Sequence, residues 1–258
     1  MSRVLLEICI ASPEDAATAA AGGADRLELN SALELGGLTP SLGTLLETRN
    51  AVSLPVITMV RPRPGGFHYS AAEFKTMRRD VDLLLENGAD GIAFGILMGD
   101  GSIDMARCRQ FIARIGTAGA RQFVFHRAFD FTPDPSEALE QLIDLGFRRV
   151  MTSGQQPTAL QGAGLIAELI RRSAGRIEIL PASGIRPTNA AEIISLTNCN
   201  QLHASLREMK TDASLNARPR ISLGGSTSSQ HADGGGYQGT DARLVTEMVE
   251  ALKRVSDM

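Results

Sequence analysis

Hydrophobic positions along the chain follow two alternating periods. Short runs rich in Val, Ile and Leu recur eight times, and their length and composition predict strands. They occupy residues 4–10, 26–30, 55–61, 91–97, 122–127, 148–153, 176–182 and 200–205. The stretches between them are rich in Ala, Leu and Glu at helical spacing, which predicts helices. These helices are expected at 14–21, 42–50, 71–86, 105–115, 135–145, 159–173 and 189–196, with a last one at 241–255.

Capping signals agree with these boundaries. Ser12 and Pro13 suit the start of the first helix, and Ser70 with Glu73 forms the spacing of a capping box. Strands separated by helices must run parallel, and eight strand–helix units close naturally into a barrel. The alternative is an open, doubly wound sheet. The barrel is favoured because no G-x-G-x-x-G motif follows the first strand.

One segment breaks the alternation. Residues 209–239 contain Arg218-Pro219-Arg220 and two glycine-rich runs, 224–229 and 234–236. This composition predicts a long mobile loop that follows the eighth strand on the catalytic side of the barrel and precedes the last helix. A disordered insertion is the alternative interpretation. In either case residues 1–258 form a single domain, since one barrel commonly takes about 250 residues.

Composition narrows the class of protein. The chain has 258 residues, of which 43% are hydrophobic and 21% charged, and its formal net charge is −3. This balance is typical of a globular protein and argues against a nucleic-acid partner, which would need a strong positive field. No apolar run is long enough for a membrane span. The three cysteines show no CxxC spacing, which disfavours a disulfide framework and favours a reducing cytosolic compartment.

Side-chain alternation places several polar groups inside the predicted barrel. On the first strand Glu7 and Cys9 share the face opposite three aliphatic residues, so both are expected to point inward. On the second strand the same argument places Arg26, Glu28 and Asn30 inside. Two carboxylates in one barrel interior need neutralising partners because burying an unpaired charge is costly.

Candidate partners stand at the carboxyl ends of the strands, where the active sites of such barrels lie. As catalytic groups we predict Glu7, Glu28, His126, Asp130 and His203. As groups that bind an anionic ligand we predict Arg61, Arg63, Arg127, Ser153, Gly154, Ser183, Gly184 and Ser205. The Ser-Gly turns are included because their backbone N–H groups can approach a phosphate or carboxylate closely. The alternative is a purely structural network of satisfied polar groups in the barrel core.

Several motifs, taken together, resemble the CutC family, named for copper homeostasis. The likeness covers nearly the whole chain, and the motifs are Glu7-Ile8-Cys9, Gly22-Gly23-Ala24-Asp25-Arg26-Leu27-Glu28-Leu29, Gly36-Gly37-Leu38-Thr39-Pro40-Ser41, Arg61-Pro62-Arg63, Phe125-His126-Arg127-Ala128-Phe129-Asp130, Leu145-Gly146-Phe147, Thr152-Ser153-Gly154, Ala159-Leu160-Gln161-Gly162 and Leu202-His203-Ala204-Ser205.

The resemblance implies a TIM-barrel fold, a cytosolic location, homo-oligomers and a copper-binding role in copper homeostasis. Cys9 matches the first of two inward cysteines to which the family's copper assignment has been attached, whereas Asn30 stands at the second. Cu(I) prefers soft thiolate or thioether ligands, so Met59 and His68 are candidate replacements. A lone buried cysteine can also serve only for packing.

Two functions therefore remain open from the sequence. The first is a copper-homeostasis protein that binds copper through Cys9. The second is a barrel enzyme that acts on a small anionic or phosphorylated metabolite at the carboxyl end of the barrel, with acid–base groups and arginines at its mouth. A scaffold protein is a third interpretation, which leaves the polar residues at the barrel mouth unexplained.

Overall fold

A parallel eight-stranded barrel forms the centre of the molecule. The computed structural model describes residues 3–115, 122–214 and 236–256. The barrel strands are β1 (Leu5–Ile10), β2 (Arg26–Leu29), β3 (Val56–Met59), β4 (Gly91–Phe94), β5 (Gln122–Phe125), β6 (Arg149–Thr152), β7 (Glu178–Pro181) and β8 (Gln201–Ala204). They hydrogen-bond in the order β7-β6-β5-β4-β3-β2-β1-β8, and a parallel bridge between Ala182 and His203 joins the two ends. The prediction of a TIM barrel is confirmed.

Eight helices surround the barrel in the described part of the chain. They are α1 (Pro13–Gly22), α2 (Leu42–Ala51), α3 (Ala71–Glu86), α4 (Met105–Ile115), α5 (Pro135–Leu145), α6 (Ala163–Ser173), α7 (Ala190–Thr197) and α8 (Ala242–Ser256). The Ser12 hydroxyl accepts a hydrogen bond from the Asp15 N–H, and Ser70 with Glu73 forms the expected capping box. None of the helices described is both long and apolar enough to cross a membrane.

The predicted strands are correct in number and place but extend too far at their carboxyl ends. Arg61, His126 and Ser205 follow the last ladder residues of β3, β5 and β8 rather than lying within them. The backbone there still bonds sideways, as when the His126 N–H donates to the Phe94 carbonyl at 3.0 Å. These residues therefore leave the sheet at a defined level and can turn over the barrel mouth.

The barrel interior has an apolar side and a polar side. The apolar side is a cluster separate from the helix-facing core and consists of Ile57, Met59, Ala93, Val124, Met151, Leu180 and Ala182. The polar side is formed by β1, β2 and β8, which carry Glu7, Arg26, Glu28 and His203, all buried. Buried charged groups are thus concentrated on three neighbouring strands, where they can satisfy one another, and Arg149 on β6 is a further buried charge.

The segment predicted as a loop at 209–239 differs at both ends. Arg207–Thr211 (β9) and Gly236–Thr240 (β10) pair as an antiparallel hairpin after β8. The hairpin is attached to the barrel because the Thr240 N–H donates to Asp15 Oδ1 at 2.7 Å and the Asp241 N–H donates to the Leu206 carbonyl at 2.9 Å. Residues 215–235, which contain most of the glycine-rich sequence, lie outside the described residues.

Candidate functional site

A cavity of about 350 Å³ opens at the carboxyl ends of the strands. The barrel strands contribute Cys9, Glu28, Met59 and His203, among others, to its lining. Loops that follow the strands add Phe67, His126 and four arginines, Arg61, Arg127, Arg186 and Arg207. The cavity is within the size range of small-molecule sites, and its position is the one at which barrel enzymes and binding proteins place their ligands.

A carboxylate–imidazole–carboxylate chain crosses the polar side of the barrel. The strand register places Glu7 beside both Arg26 on β2 and His203 on β8. Glu7 forms an ion pair with Arg26, and His203 Nδ1 donates to Glu7 Oε1 at 2.8 Å. His203 Nε2 then faces Glu28 Oε2 at 3.8 Å. Glu7 therefore sets the orientation of the imidazole and leaves its second nitrogen directed toward Glu28.

The surroundings shift the pKa values of Glu7 and Glu28 in opposite directions. Burial alone would raise the pKa of Glu7, but the adjacent Arg26 and the hydrogen bond from His203 hold it well below its usual range. Burial raises the pKa of Glu28, with His203 opposing and the charge of Glu7 adding to the rise. For His203, burial lowers the pKa, but Glu28, Cys9 and Glu7 together raise it well above its ordinary value. Glu7 is thus the fixed anion of the site.

Cys9 completes a cluster of potential metal ligands. One ligand atom each from Cys9, Glu28 and His203 can be chosen so that all three lie within 4.8 Å of one another, and all three residues are buried. Asn30 Nδ2 donates to Glu28 Oε2 at 2.9 Å and to Cys9 Sγ at 3.4 Å. The amide thus presents its donor side to the sulfur. Burial raises the pKa of the Cys9 thiol.

His126 supplies a neutral hydrogen-bond donor to the same cavity. The Ala128 N–H donates to His126 Nδ1 at 3.1 Å, so the ring proton is assigned to Nε2. Burial, with the nearby charge of Arg61, lowers the pKa of His126 to about 3. The ring also lies 5.0 Å from the Phe67 ring, centroid to centroid. Within the described residues His126 Nε2 has no hydrogen-bond partner.

Arg61 is a buried cation that lines the cavity. Its guanidinium donates to the carbonyls of Leu35, Gly37 and Gly65 at 2.8–3.0 Å, which ties together two loops of the mouth. Its Nε has no partner in the described part of the chain, and no ion pair is found there for Arg61. It is 7% exposed, and its charge is stabilised by these backbone carbonyls and by the Phe67 ring, whose centroid lies 5.3 Å from the guanidinium carbon. Such a group attracts an anion.

Asp130, Ser153 and Gly154 lie apart from the cavity lining and form a site of their own. The Asp130 carboxylate accepts hydrogen bonds from the Thr152 hydroxyl at 2.5 Å and the Ser153 N–H at 3.0 Å. Arg127 Nε also donates to it at 2.8 Å. The Ser-Gly turn was expected to bind an external anion, but the Ser153 N–H is occupied by this carboxylate of the same chain.

Arg63 is also placed outside the cavity. Its Nε pairs with Glu73 Oε1 at 2.5 Å, and its other nitrogens donate to loop carbonyls. His68, the possible replacement ligand, is likewise absent from the lining and bonds the Leu97 carbonyl at 3.2 Å. Met59 does line the cavity. The structure thus brings Arg61 into the cavity and keeps Arg63 away from it.

The remaining predicted residues lie at the mouth. Ser183, Gly184 and Ser205 line the cavity beside Arg127. The Ser183 hydroxyl donates to the Pro157 carbonyl at 2.8 Å, so it also fixes the loop after β6.

Two of the arginines that line the cavity were not predicted from the sequence. Arg186 and Arg207 follow the ends of β7 and β8, each two residues beyond a predicted site residue. That spacing is the only sequence signal that could have found them.

The end of the barrel opposite the mouth fits the structural interpretation of the polar core. Gln201 accepts hydrogen bonds from Arg26 at 2.9 Å and Arg149 at 3.1 Å, and Arg149 pairs with Glu178 at 2.9 Å. Glu7 lies between the two regions, with Arg26 on one side and His203 on the other. The site therefore consists of a polar layer whose side chains pair with one another, with only Arg149 Nη1 of this layer lacking a partner among the described residues, beneath a cavity in which further buried polar atoms lack partners there.

The geometry defines a class: a TIM barrel whose mouth combines a thiol, an imidazole and a carboxylate with several arginines. The chain also matches the CutC family over residues 4–208. A CutC family protein of Treponema denticola is 52% identical over 225 residues, which cover 87% of this chain and 90% of that protein. A human protein named copper homeostasis protein cutC homolog is 41% identical, covering 87% of this chain and 81% of its own length. The chain belongs to the CutC family.

Solved structures agree with this assignment. A Streptococcus agalactiae structure that carries the name copper homeostasis protein CutC superposes with a TM-score of 0.73 at 29% identity, covering 78% of this chain and 97% of that one. Phosphoribosylanthranilate isomerase from Pyrococcus furiosus superposes with a TM-score of 0.55 at 15% identity, covering 97% and 99% of the two chains. The second likeness concerns the barrel fold alone.

Proposed function

We propose that this chain acts in copper homeostasis by binding Cu(I) as cargo through Cys9 and His203, with Glu28 beside them. The observation that carries the proposal is the convergence of these three buried donors at the base of the mouth cavity. The names of the CutC relatives support a copper-related role. Cytosolic location and homo-oligomeric assembly remain predictions.

The donor set suits this ion. A thiolate and an imidazole are ligands that Cu(I) accepts readily, whereas a carboxylate is a poorer one. Metal–ligand distances of about 2.0–2.3 Å place two opposed donors about 4.3 Å apart, so a separation within 4.8 Å requires only small side-chain movements. Glu7 contributes indirectly: it accepts from His203 Nδ1, which orients Nε2 toward the ion, as carboxylates commonly do for metal-binding histidines.

A competition titration tests this proposal. Reduced protein is titrated with Cu(I) in the presence of a chromogenic Cu(I) chelator under anaerobic conditions. We expect one Cu(I) per chain, and an affinity lowered by at least about tenfold in Cys9→Ser and in His203→Gln. Cys199→Ser is the matched control, because Cys199 is also buried but lines a cavity away from the mouth. Equal affinities for the wild type and Cys9→Ser would refute the proposal.

A second candidate function is an enzyme that acts on a small anionic metabolite in the same cavity. Three buried polar atoms without hydrogen-bond partners among the described residues favour it: Glu28 Oε1, Arg61 Nε and His126 Nε2. They offer an acid–base group, a cation and a neutral donor. Thermal-shift screening of phosphorylated and carboxylated metabolites tests it, with His126→Asn as the variant expected to lose the shift. A screen without any stabilising metabolite would contradict this function.

A further inference from the structure

The mouth cavity provides one thiol for copper and an excess of positive charge around it. We infer that copper reaches Cys9 as a complex with a small thiol that carries carboxylate groups. The thiol supplies the second soft ligand, and its carboxylates bind the arginines at the mouth. This inference rests on the proposed copper function and specifies the chemical class of the molecule that accompanies the ion.

The shortage of thiols is the first observation behind the inference. All three cysteines are described, and Cys108 and Cys199 are buried away from the mouth, so Cys9 is the single thiol that lines the cavity. Asn30, beside it, turns its amide donor toward the sulfur. Met59 and Met151 also line the cavity, but their thioethers are neutral. Cu(I) prefers soft donors, so an anionic thiolate from outside the chain completes the coordination better than these thioethers or Glu28 do.

The charge of the lining is the second observation. Arg61, Arg127, Arg186 and Arg207 all contribute to it, whereas Glu28 is the single acidic residue that the described part of the chain adds to the lining. Among the described residues only Arg127 of these four has a carboxylate partner, Asp130. Arg61 Nε is buried without a hydrogen-bond partner there. A carboxylate is the anion that a planar guanidinium binds in a bidentate manner, which gives the small thiol both attraction and orientation.

Binding then proceeds as a thiol exchange in which copper stays Cu(I). In solution the ion is held by two small thiolates. Cys9 Sγ bonds to the copper, one small thiolate leaves, and the proton of the Cys9 thiol goes to that leaving thiolate. The other thiolate remains on the copper with its carboxylates at the arginines. No electron is transferred, and the total charge and proton number are conserved.

Native mass spectrometry of the full chain with matched thiols tests the inference. Cu(I) is supplied with one of four thiols. Mercaptosuccinate carries two carboxylates and 3-mercaptopropionate carries one, whereas 2-mercaptoethanol is uncharged and cysteamine carries a positive charge. With mercaptosuccinate we expect a complex of one chain, one Cu(I) and one molecule of the thiol. With 2-mercaptoethanol and cysteamine we expect the chain to bind Cu(I) without retaining the thiol. The double variant Arg186→Gln/Arg207→Gln should weaken retention of mercaptosuccinate by at least about tenfold. Arg171→Gln is the control, since Arg171 is exposed on α6 and absent from the lining.

Each remaining outcome overturns a different claim. Thiol retained on the copper equally for thiols with and without carboxylates, or copper always bound without a thiol, overturns this inference and leaves the proposed function standing. Mercaptosuccinate retained without copper overturns the inference and favours the anion-binding enzyme. Copper bound neither from any thiol nor from the chelator overturns both the inference and the copper function.

Discussion

His126 should make folding stability depend on pH in a way that one substitution removes. Its ring is buried, accepts a hydrogen bond from the Ala128 N–H and has a pKa lowered from 6.5 to about 3. Because the folded-state pKa is depressed, the unfolded chain takes up this proton first. Stability is therefore fully present above the unfolded value of about 6.5 and is lost as the pH falls toward 3.

The magnitude follows from the shift. Between about pH 7 and about pH 5 the unfolded histidine gains about 0.7 of a proton while the folded one gains almost none, which costs the folded state about 2 kcal/mol. The substitution His126→Asn removes this titration, and its Oδ1 can accept from the Ala128 N–H in place of Nδ1. All other titrating groups are shared by the wild type and His126→Asn. The difference between the two proteins in how the unfolding free energy changes with pH therefore reports on His126 alone.

The assay is urea unfolding followed by circular dichroism at several pH values. We expect the unfolding free energy of the wild type to fall by about 2 kcal/mol more than that of His126→Asn over this interval. The variant has a lower absolute stability because a smaller side chain leaves space beside Gly95, where an added Cβ would lie 2.7 Å from the imidazole. Parallel curves for the two proteins would refute the assignment of His126 as a neutral, buried donor.

Two further substitutions test separate parts of the account. Glu7→Gln removes the charge that orients His203, so the Cu(I) affinity measured by chelator competition should fall by about 10–100-fold; an unchanged affinity would show that Glu7 does not support the imidazole. Gly162→Ala should lower the midpoint of thermal unfolding because the new Cβ would lie 2.0 Å from the Ser153 carbonyl oxygen, whereas Gly164→Ala, with nothing within 4 Å, should not lower it. Equal midpoints for the two glycine variants would contradict the close packing of this turn.

The parts of the fold that depend on local periodicity were predictable. Strand alternation alone places Glu7 and Glu28 inside the barrel, and both are buried there. Capping chemistry likewise predicts the start of α3 at Ala71. The strand ends predicted from the sequence were less accurate, because tertiary contacts decide where a strand leaves the sheet. Arg61 lies beyond the end of β3, and its guanidinium bonds three loop carbonyls.

The parts of the site that depend on long-range pairing were not predictable from the pattern. Glu7 and His203 are 196 residues apart in sequence, and only the register between β1 and β8 brings them together. For the same reason the sequence predicts a catalytic role for Asp130 without predicting its partner. In the structure the Asp130 carboxylate accepts a hydrogen bond from the Ser153 N–H, in the turn after β6 that the sequence predicts to bind a ligand. Residue type predicts an anion site at this turn, but not that a carboxylate of the same chain occupies the Ser153 N–H.

X-ray absorption spectroscopy at the copper edge identifies the atoms that bind Cu(I) in this protein. Wild-type protein loaded with one Cu(I), in the absence of small thiols, should show one sulfur and one imidazole nitrogen bound to the ion. The sulfur contribution should disappear in Cys9→Ser and the imidazole contribution in His203→Gln, while Cys199→Ser keeps both. Spectra that are identical in wild type and Cys9→Ser would contradict a copper site at the barrel mouth.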